Sequence, residues 1–280
     1  MTEINYDSVS SIREFLDKNN LCMNKKFGQN FLINPNYRRA LLTALDAEAG
    51  EEVWEIGPGI GAMTALLLEK GLYVRAFEID AGFNRVLKSM FYEKENFTLI
   101  EGDVLKTWQS RPPAKYLLGS LPYNIAATLI ADMIINRRFF KRMAVTVQRE
   151  VAMRMTALPK TADYSAFSLI CASAYKVKPL MLIKSASFYP RPNVDSQAVL
   201  LELKEGFDRV LPDCFFPLVK QLFSSRRKMI RNNLEVFFKN DKMLSEEALK
   251  KSSINGKRRA EELSLEEFTA LAKTVDGIAE

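Results

Sequence analysis

The sequence contains no histidine. This absence excludes an imidazole general base, the Ser-His-Asp and Cys-His nucleophilic sites, and metal sites with histidine ligands. Cysteine is also scarce: Cys22, Cys171 and Cys214 are far apart, and none belongs to a Cys-x-x-Cys pair. Neither a disulfide framework nor a thiolate zinc site is indicated, so we expect no bound metal and a reducing, cytoplasmic setting.

Long hydrophobic runs are missing as well. No apolar run approaches the about 18 residues of a membrane span, and the N-terminal stretch MTEINYDSVSS is polar with acidic residues. The sequence therefore predicts neither a membrane span nor a signal peptide. With 280 residues, of which 48% are hydrophobic and 26% charged, the chain can form a main domain and a smaller second one.

Positive charge is in modest excess but is concentrated. Lys and Arg outnumber Asp and Glu by 40 to 34. One stretch without acids lies between Asp132 and Glu150 and contains Arg137, Arg138, Lys141, Arg142 and Arg149. A second stretch, between Asp213 and Glu235, contains Arg226, Arg227, Lys228 and Arg231, predicted to lie within about a turn and a half of helix. One such cluster is often only a solvated surface, but several in one chain favour a polyanionic partner.

Strand-like and helix-like patterns alternate over the first two thirds of the chain. Strands are predicted at 53–56, 73–79, 97–101, 116–119, 143–147, 180–184 and 198–203, and helices at 35–45, 62–70, 81–91 and 125–135. This alternation predicts an α/β fold with a mostly parallel sheet covered by helices. In addition, the spacing of Ile12, Phe15 and Leu16 predicts a short amphipathic helix near the N-terminus.

Strand signals stop after about Glu205. Helices are predicted at 212–223, 226–238, 245–251 and 265–272, the last of them preceded by a capping box formed by Ser264 and Glu267. We therefore divide the chain into a sheet domain at 1–205 and a small all-helical domain at 206–280, with the boundary near Lys204 to Phe207.

Three glycines, Gly57, Gly59 and Gly61, follow the first predicted strand of the sheet and precede a helix. Glycine there allows a tight turn and the close approach of a ligand. Glu78 ends the next strand, 21 residues after Gly57, where a carboxylate can accept hydrogen bonds from both ribose hydroxyls. The third strand ends at Asp103, placed to accept from an adenine amino group.

Two cofactor classes fit this glycine pattern. A dinucleotide would use the same loop and the same ribose acid. The loop also carries Glu55 and Pro58, however, and Asp103 adds a further acid. S-adenosylmethionine, a cation without a pyrophosphate, suits such an acid-rich pocket better.

The fourth strand is followed by Ser120-Leu121-Pro122-Tyr123, which resembles the N-L-P-Y signature of enzymes that methylate an exocyclic amino nitrogen. The lone pair of an adenine amine is delocalised into the ring, but the nitrogen can pyramidalise when a side-chain oxygen and a backbone carbonyl accept its two protons. No general base is needed, in agreement with the missing histidine. Pro122 fixes the loop, and Tyr123 offers a stacking face for the base.

The chain as a whole resembles the small-subunit (16S) ribosomal RNA adenine N6,N6-dimethyltransferases. The resemblance spans nearly the whole length and rests on motifs found in the same order: Lys26 to Leu32, Glu55 to Gly61, Glu78-Ile-Asp80, Gly102-Asp103, Leu121 to Ile125, Gln148-Arg-Glu150, Phe188 to Ser196, Arg226-Arg-Lys228, Arg231 to Leu234 and Arg259 to Leu263. It implies a Rossmann-like S-adenosylmethionine-dependent methyltransferase sheet with a small C-terminal helical domain. The implied substrate is a pair of adjacent adenines.

The resemblance also implies roles for individual residues. Asn30 and Leu32 would contact the methyl donor, with Gln29 as a neighbouring candidate. Gly57 would lie against the amino-acid end of the donor, Glu78 would hold the ribose, and Asp103 would meet the adenine; Gly59 and Ser120 complete the donor site. Phe188 would form the second aromatic wall of the target-base slot, opposite Tyr123. The implied partner is ribosomal RNA within an assembling 30S particle, bound by a monomer.

Ser120 departs from the family motif, which has asparagine at this position. A serine hydroxyl is shorter than an amide, so we expect activity to survive at a lower rate. The main alternative is an assembly or RNA-binding factor with weakened catalysis because of Ser120. A third hypothesis is that the chain is a nicotinamide-dependent oxidoreductase, and this hypothesis rests on the glycine loop alone.

Overall fold

The computed structural model describes residues 4–24, 27–206 and 211–279. Lys26 of the first motif and Phe207 of the predicted boundary lie outside these ranges. By its contacts the chain forms two units. The first comprises the residues up to Leu129, Arg138–Ala152 and Lys178–Glu202; the second comprises Ile130–Arg137, Met153–Val177 and the residues from Leu203 on.

The described helices and strands include every predicted one. In chain order they are α1 (Val9–Lys18), β1 (Phe31–Leu32), α2 (Pro35–Leu45), β2 (Glu52–Ile56), α3 (Ala62–Glu69), β3 (Tyr73–Glu78), α4 (Ala81–Phe91), β4 (Phe97–Glu101), α5 (Val104–Thr107), β5 (Tyr116–Ser120), α6 (Ala126–Ile135), β6 (Arg142–Gln148), α7 (Arg149–Thr156), α8 (Ala166–Ala174), β7 (Tyr175–Ile183), β8 (Phe188–Tyr189), β9 (Ser196–Leu203), α9 (Phe215–Phe223), α10 (Ile230–Phe237), α11 (Lys242–Lys251) and α12 (Leu265–Ala279). The structure adds three helices that the sequence did not predict, α5, α7 and α8, as well as the short strands β1 and β8.

The main sheet has the strand order β4-β3-β2-β5-β6-β9-β7. The first five strands in this order run parallel, and β9 pairs antiparallel with β6. The central strands are buried on both faces, as expected for a parallel sheet covered by helices. The predicted α/β fold with a mostly parallel sheet is thus confirmed, and the carboxyl ends of β2, β3, β4 and β5 share one edge.

The amphipathic helix predicted near the N-terminus is α1. Its apolar face buries Ile12, Phe15 and Leu16 in a cluster with Phe31 and Phe83 of the same unit. Phe31 belongs to a short antiparallel pair that the sequence did not predict, in which β1 lies against β8. The N-terminal segment is thereby packed beside the glycine loop.

Helices α9 to α12 enclose the core of the second unit, together with residues of α8. The capping box before α12 is confirmed, because the Ser264 amide donates to the Glu267 carboxylate at 2.8 Å and the Glu267 amide donates to the Ser264 hydroxyl at 3.3 Å. The second unit also includes Met153–Val177, which the predicted division at 205/206 assigned to the sheet domain. Tyr164 explains this grouping, since its hydroxyl donates to the Leu263 carbonyl at 2.9 Å.

The helix predicted at 226–238 is wrong at its start. Residues 224–227 form a turn, and α10 begins only at Ile230. The side-chain amide of Asn233 donates to the carbonyls of Leu222 and Ser225 at 2.9 and 3.2 Å, which satisfies carbonyls left at the end of α9. Met229 then pairs with Arg259 in an isolated bridge. These tertiary bonds replace the helical ones.

Among the helices of the described ranges, none combines the length and the apolar character that crossing a bilayer demands.

Candidate active site

A cavity of about 240 Å³ lies at the carboxyl ends of the parallel strands in the first unit. Loops that leave parallel strands at this edge are the usual place for a ligand in such sheets. The predicted site residues that line the cavity are Gln29, Asn30, Gly57, Gly59, Glu78, Asp103, Ser120 and Pro122. Tertiary structure therefore gathers the N-terminal segment, the glycine loop, both strand-end acids and the start of the Ser-Leu-Pro-Tyr loop.

The glycine loop needs glycine for two different reasons. Gly57 adopts φ +70°, and a Cβ there would meet the Ser120 carbonyl oxygen at an ordinary contact distance of 3.7 Å, so the left-handed backbone conformation is what favours glycine. Gly59 adopts φ +57°, and a Cβ there would lie only 2.8 Å from Cε1 of Phe31. The loop is therefore shaped both by left-handed backbone conformations and by the phenyl ring from the N-terminal segment.

Glu78 is almost completely buried at the end of β3, with 5% exposure. Its Oε2 accepts from the Gly59 amide at 3.0 Å, and its Oε1 accepts from the Asp80 amide at 2.9 Å. Burial raises the pKa of Glu78, while these backbone donors act in the opposite direction. Each carboxylate oxygen has a second lone pair, so the group can accept further hydrogen bonds from a ligand in the cavity.

Glu55 is buried beneath the same loop and does not line the cavity. The Thr64 hydroxyl donates to its Oε2 at 2.7 Å. Burial, together with the nearby charge of Glu78, raises the pKa of Glu55 to about 8. This carboxyl is consequently protonated at neutral pH and acts as a neutral hydrogen-bonding group below the glycine loop.

Asp103 follows β4 and caps α5, because its Oδ1 accepts from the Leu105 amide at 3.0 Å. The cavity lining also includes residues that the sequence did not single out for the donor site, among them Phe27, Ile79 and Val104. Ile79 is 42% exposed although it follows a buried strand. Its position between the strand-end acid Glu78 and the helix cap Asp80 is the signal that would have found it.

The N-terminal segment is tied to the cavity by Gln29. Its Nε2 donates to Oδ2 of Asp80 at 3.0 Å, and its Oε1 accepts from the Asn24 amide at 2.7 Å. Asn30 donates to the Gly28 carbonyl at 2.9 Å. Leu32 does not line the cavity: successive strand side chains point to opposite faces, so Phe31 reaches the cavity while Leu32 packs into the core of the unit.

The Ser-Leu-Pro-Tyr loop joins β5 to α6. Ser120 lines the cavity, whereas the Leu121 side chain is buried and its amide donates to the Thr146 carbonyl at 3.0 Å. The Pro122 carbonyl accepts from the amides of Ile125 and Ala126 at 3.0 and 3.1 Å. That carbonyl is thus engaged by the turn that starts α6.

The two predicted aromatic walls differ in accessibility. Tyr123 is half-buried, and its hydroxyl lies 2.7 Å from that of Ser196. Burial raises the pKa of the Tyr123 phenol, and the bond to Ser196 partly opposes this. Phe188 is only 3% exposed and packs in the core with Leu32, its partner across β1 and β8. To stack on a base, Phe188 would have to leave this packing, so its role stays a prediction.

Comparison with known proteins decides the family. A family model described as "Ribosomal RNA adenine dimethylase" matches residues 20–276. The chain belongs to this family. It is 44% identical to a ribosomal RNA small subunit methyltransferase A from Treponema denticola, over 97% of this chain and 96% of that protein. A protein of the same name from Borreliella burgdorferi is 37% identical over 98% of this chain and 96% of that protein.

One solved structure agrees with this family assignment, and a second shares the fold. A dimethyladenosine transferase from Plasmodium falciparum superposes with a TM-score of 0.72 at 28% identity, covering 85% of this chain and 94% of that one. The 23S rRNA methyltransferase ErmE has a TM-score of 0.61 at 20% identity, covers 88% of this chain and 99% of its own, and supports the fold alone.

Membership in the adenine dimethylase family confirms several predictions. These are the Rossmann-like methyltransferase sheet with its C-terminal helical region, the enzyme class of rRNA methyltransferase, and S-adenosylmethionine as the cofactor. The comparisons do not favour the assembly-factor alternative, and the oxidoreductase reading has no support among them. The roles predicted for individual residues and the domain boundary stay predictions.

The first basic stretch of this family member is largely engaged within the protein. Arg138 lies over the rings of Trp54 and Trp108, 5.6 Å from each centroid. Ion pairs or ring contacts also engage three more side chains of this stretch: Arg137 with Asp213, Lys141 with Tyr116, and Arg142 with Asp46 and Glu202. Their charges are therefore partly used for folding.

The second basic stretch has more side chains that are exposed to solvent and could contact a partner than the first. Arg226 pairs with Glu261 at 2.9 Å and donates to the Ala162 carbonyl at 3.1 Å, but Arg227, Lys228 and Arg231 are exposed. The Ile230 amide donates to the Arg258 carbonyl at 2.7 Å, which brings the segment around Lys257 alongside. The basic surface formed by these residues, Arg226, Arg227, Lys228 and Arg231, thus includes the turn between α9 and α10 and the start of α10.

Proposed function

We propose that this chain transfers methyl groups from S-adenosylmethionine to the exocyclic amino nitrogens of two adjacent adenines in small-subunit (16S) ribosomal RNA. It acts in the cytoplasm as a monomer, on RNA within an assembling 30S particle. The observation that carries this proposal is that Ser120 and Pro122 of the Ser-Leu-Pro-Tyr loop line the same cavity as Glu78 and Asp103.

The cavity fits the methyl donor. Two carboxylates, Glu78 and Asp103, face a space bordered by the positive-φ backbone of Gly57, which suits a cationic ligand with a ribose and an adenine. When bound, S-adenosylmethionine supplies an electrophilic methyl group on a positively charged sulfur. We assign Glu78 to the ribose and Asp103 to the adenine, with Ile79 as an apolar neighbour of the adenine. Gln29 and Asn30 close the N-terminal side.

The target amine requires two acceptors near the rim. Ser120 supplies a hydroxyl oxygen at the end of β5. The Pro122 carbonyl already accepts two backbone amides, so we assign the second acceptor to the Leu121 carbonyl. Preorganised acceptors stabilise the pyramidal nitrogen because they cost no reorganisation during the reaction. The proton released on transfer needs no imidazole and can pass to solvent.

The aromatic loop residue and the basic surface complete the proposal. Tyr123 is half-buried beside these acceptors and gives the base a stacking face, which aromatic side chains provide to bases taken out of a stack. Arg226, Arg227, Lys228 and Arg231 bind the RNA backbone through its phosphates.

The deciding experiment is transfer of labelled methyl groups to small subunits that lack this modification, with the products resolved by mass spectrometry. We expect dimethyladenosine at two adjacent positions. Asp103→Ala should weaken S-adenosylmethionine binding measured by calorimetry. The matched control is Glu101→Gln, which changes an exposed acid two residues away and should leave binding intact. Intact donor and subunit binding without transfer would refute the enzyme proposal and favour an assembly factor.

A further inference from the structure

Ser196 contacts the hydroxyl end of Tyr123 from a buried position. It is the first residue of β9, it is fully buried with 0% exposure, and its hydroxyl lies 2.7 Å from the Tyr123 hydroxyl. The two residues are 73 positions apart in sequence. A buried hydroxyl that meets the polar end of an aromatic side chain at this distance forms a hydrogen bond whichever of the two donates.

Ser196 is held on a rigid frame. It pairs with Gln148 in the antiparallel ladder between β6 and β9. The preceding residue, Asp195, is fixed as well: its carbonyl accepts from the Arg149 amide at 3.2 Å, and its carboxylate accepts from the Ser185 amide at 2.9 Å. A 3.0 Å ion pair joins the same carboxylate to Lys184. The serine hydroxyl therefore has a defined position.

Tyr123, in contrast, belongs to a loop. Its backbone lies between β5 and α6, and its ring is only half-buried, so packing restricts the ring less than it restricts a fully buried one. A hydrogen bond at the far end of the ring removes the remaining rotational freedom before the base arrives, which avoids an entropic cost on binding. The bond to Ser196 thus fixes the hydroxyl end of the Tyr123 side chain, the end farthest from the backbone.

We infer that Ser196 is a positioning residue that holds the Tyr123 ring in the orientation in which it receives the target adenine. This inference rests on the proposed function, since it concerns the same base slot. Ser196 is not among the residues that line the cavity, and its hydroxyl meets that of Tyr123, so we expect it to act through Tyr123. The donor site is separate: neither Tyr123 nor Ser196 lines the cavity assigned to S-adenosylmethionine.

The test is a double-mutant cycle with Ser196→Ala and Tyr123→Phe. Each variant removes one hydroxyl and keeps the ring. With unmethylated small subunits and saturating S-adenosylmethionine, we expect each single variant to lower kcat about three- to tenfold, the size expected for the removal of one hydrogen bond. The double variant should be no slower than Tyr123→Phe. The Kd for S-adenosylmethionine should stay within about twofold of wild type in all three variants.

The matched control is Ser173→Ala in α8. Ser173 is also buried, with 6% exposure, and its hydroxyl donates to the Ile170 carbonyl at 2.8 Å. This variant removes a comparable buried hydrogen bond but should keep the wild-type kcat. A wild-type kcat in Ser196→Ala, a further decrease when it is added to Tyr123→Phe, or a decrease matched by weaker donor binding would overturn the inference. Absence of methyl transfer by the wild type would instead refute the proposed function.

Discussion

The Glu78 carboxylate accepts a 3.0 Å hydrogen bond from the backbone amide of Gly59. This bond links the end of β3 to the loop that follows β2, so the acid assigned to the ribose also fixes the glycine loop. The second oxygen of Glu78 accepts from the Asp80 amide at 2.9 Å, one position before α4 begins. One buried carboxylate therefore organises two loops of the donor cavity.

Gly59→Ala should destabilise the protein and weaken donor binding. The new Cβ would lie 2.8 Å from Phe31 at φ +57°, so backbone strain and overpacking add, and we expect a decrease of about 2–4 kcal/mol in the free energy of unfolding. Urea denaturation and calorimetry with S-adenosylmethionine measure both effects. Gly50→Ala is the control, because φ is +84° there but nothing lies within 4 Å of the Cβ. Equal decreases in both variants would contradict the steric argument.

Glu55 should make stability fall as the pH rises. The folded protein holds a proton on Glu55 up to about pH 8, whereas the unfolded chain releases it near pH 4.5. The free energy of unfolding therefore falls between these values, by up to about 1.4 kcal/mol per pH unit, and this contribution stops changing above pH 8. Glu55→Gln keeps a neutral acceptor for Thr64 and removes the proton-linked contribution.

The measurement for Glu55 is urea denaturation of both proteins at several pH values from 5 to 9. The stability of Glu55→Gln relative to wild type should increase up to about pH 8 and then level off. Glu101→Gln, which changes an exposed carboxylate, should show no such trend. A pH-independent difference between Glu55→Gln and wild type would show that Glu55 is ionised in the folded protein.

Ser120→Asn should increase the rate of methyl transfer. The amide oxygen reaches further than the serine hydroxyl and restores the acceptor of the family motif, for which a gain of up to about 10²-fold is expected. Ser120→Ala removes the acceptor and should be slower than wild type. Time courses of mono- and dimethyladenosine, resolved by mass spectrometry, report each step separately. No gain in either methylation for Ser120→Asn would contradict the assigned role.

The exposed basic surface should control the salt dependence of subunit binding. Glutamine substitutions at Arg226, Arg227, Lys228 and Arg231 should weaken binding and reduce the slope of log K against log salt by about 0.7–0.9 for each phosphate that is no longer neutralised. Lys242→Gln with Lys251→Gln serves as the control, since both lysines are exposed on α11 of the same unit and pair with glutamates. An unchanged slope in the fourfold variant would exclude this surface from RNA binding.

Local patterns in the sequence determined most of the elements. The predicted helices 35–45 and 81–91 have the same bounds as α2 and α4, because caps and apolar spacing act within one or two turns. The glycines, the strand-end acids and the Ser-Leu-Pro-Tyr loop were found for the same reason. The carboxyl ends of parallel strands lie at one edge of the sheet, so the sequence alone predicts that the residues after these strands lie at the same edge.

Tertiary structure decided what depends on contacts between distant segments. Four features depend on residues far apart in sequence. They are the β1–β8 pair, the burial of Phe188, the bond between Tyr123 and Ser196, and the turn that replaces the start of the predicted helix at 226. The same holds for Arg138, whose charge looks available in the sequence but lies over two tryptophan rings. Periodicity reports only which face of an element is apolar; the partner that covers the face is selected when the whole chain packs.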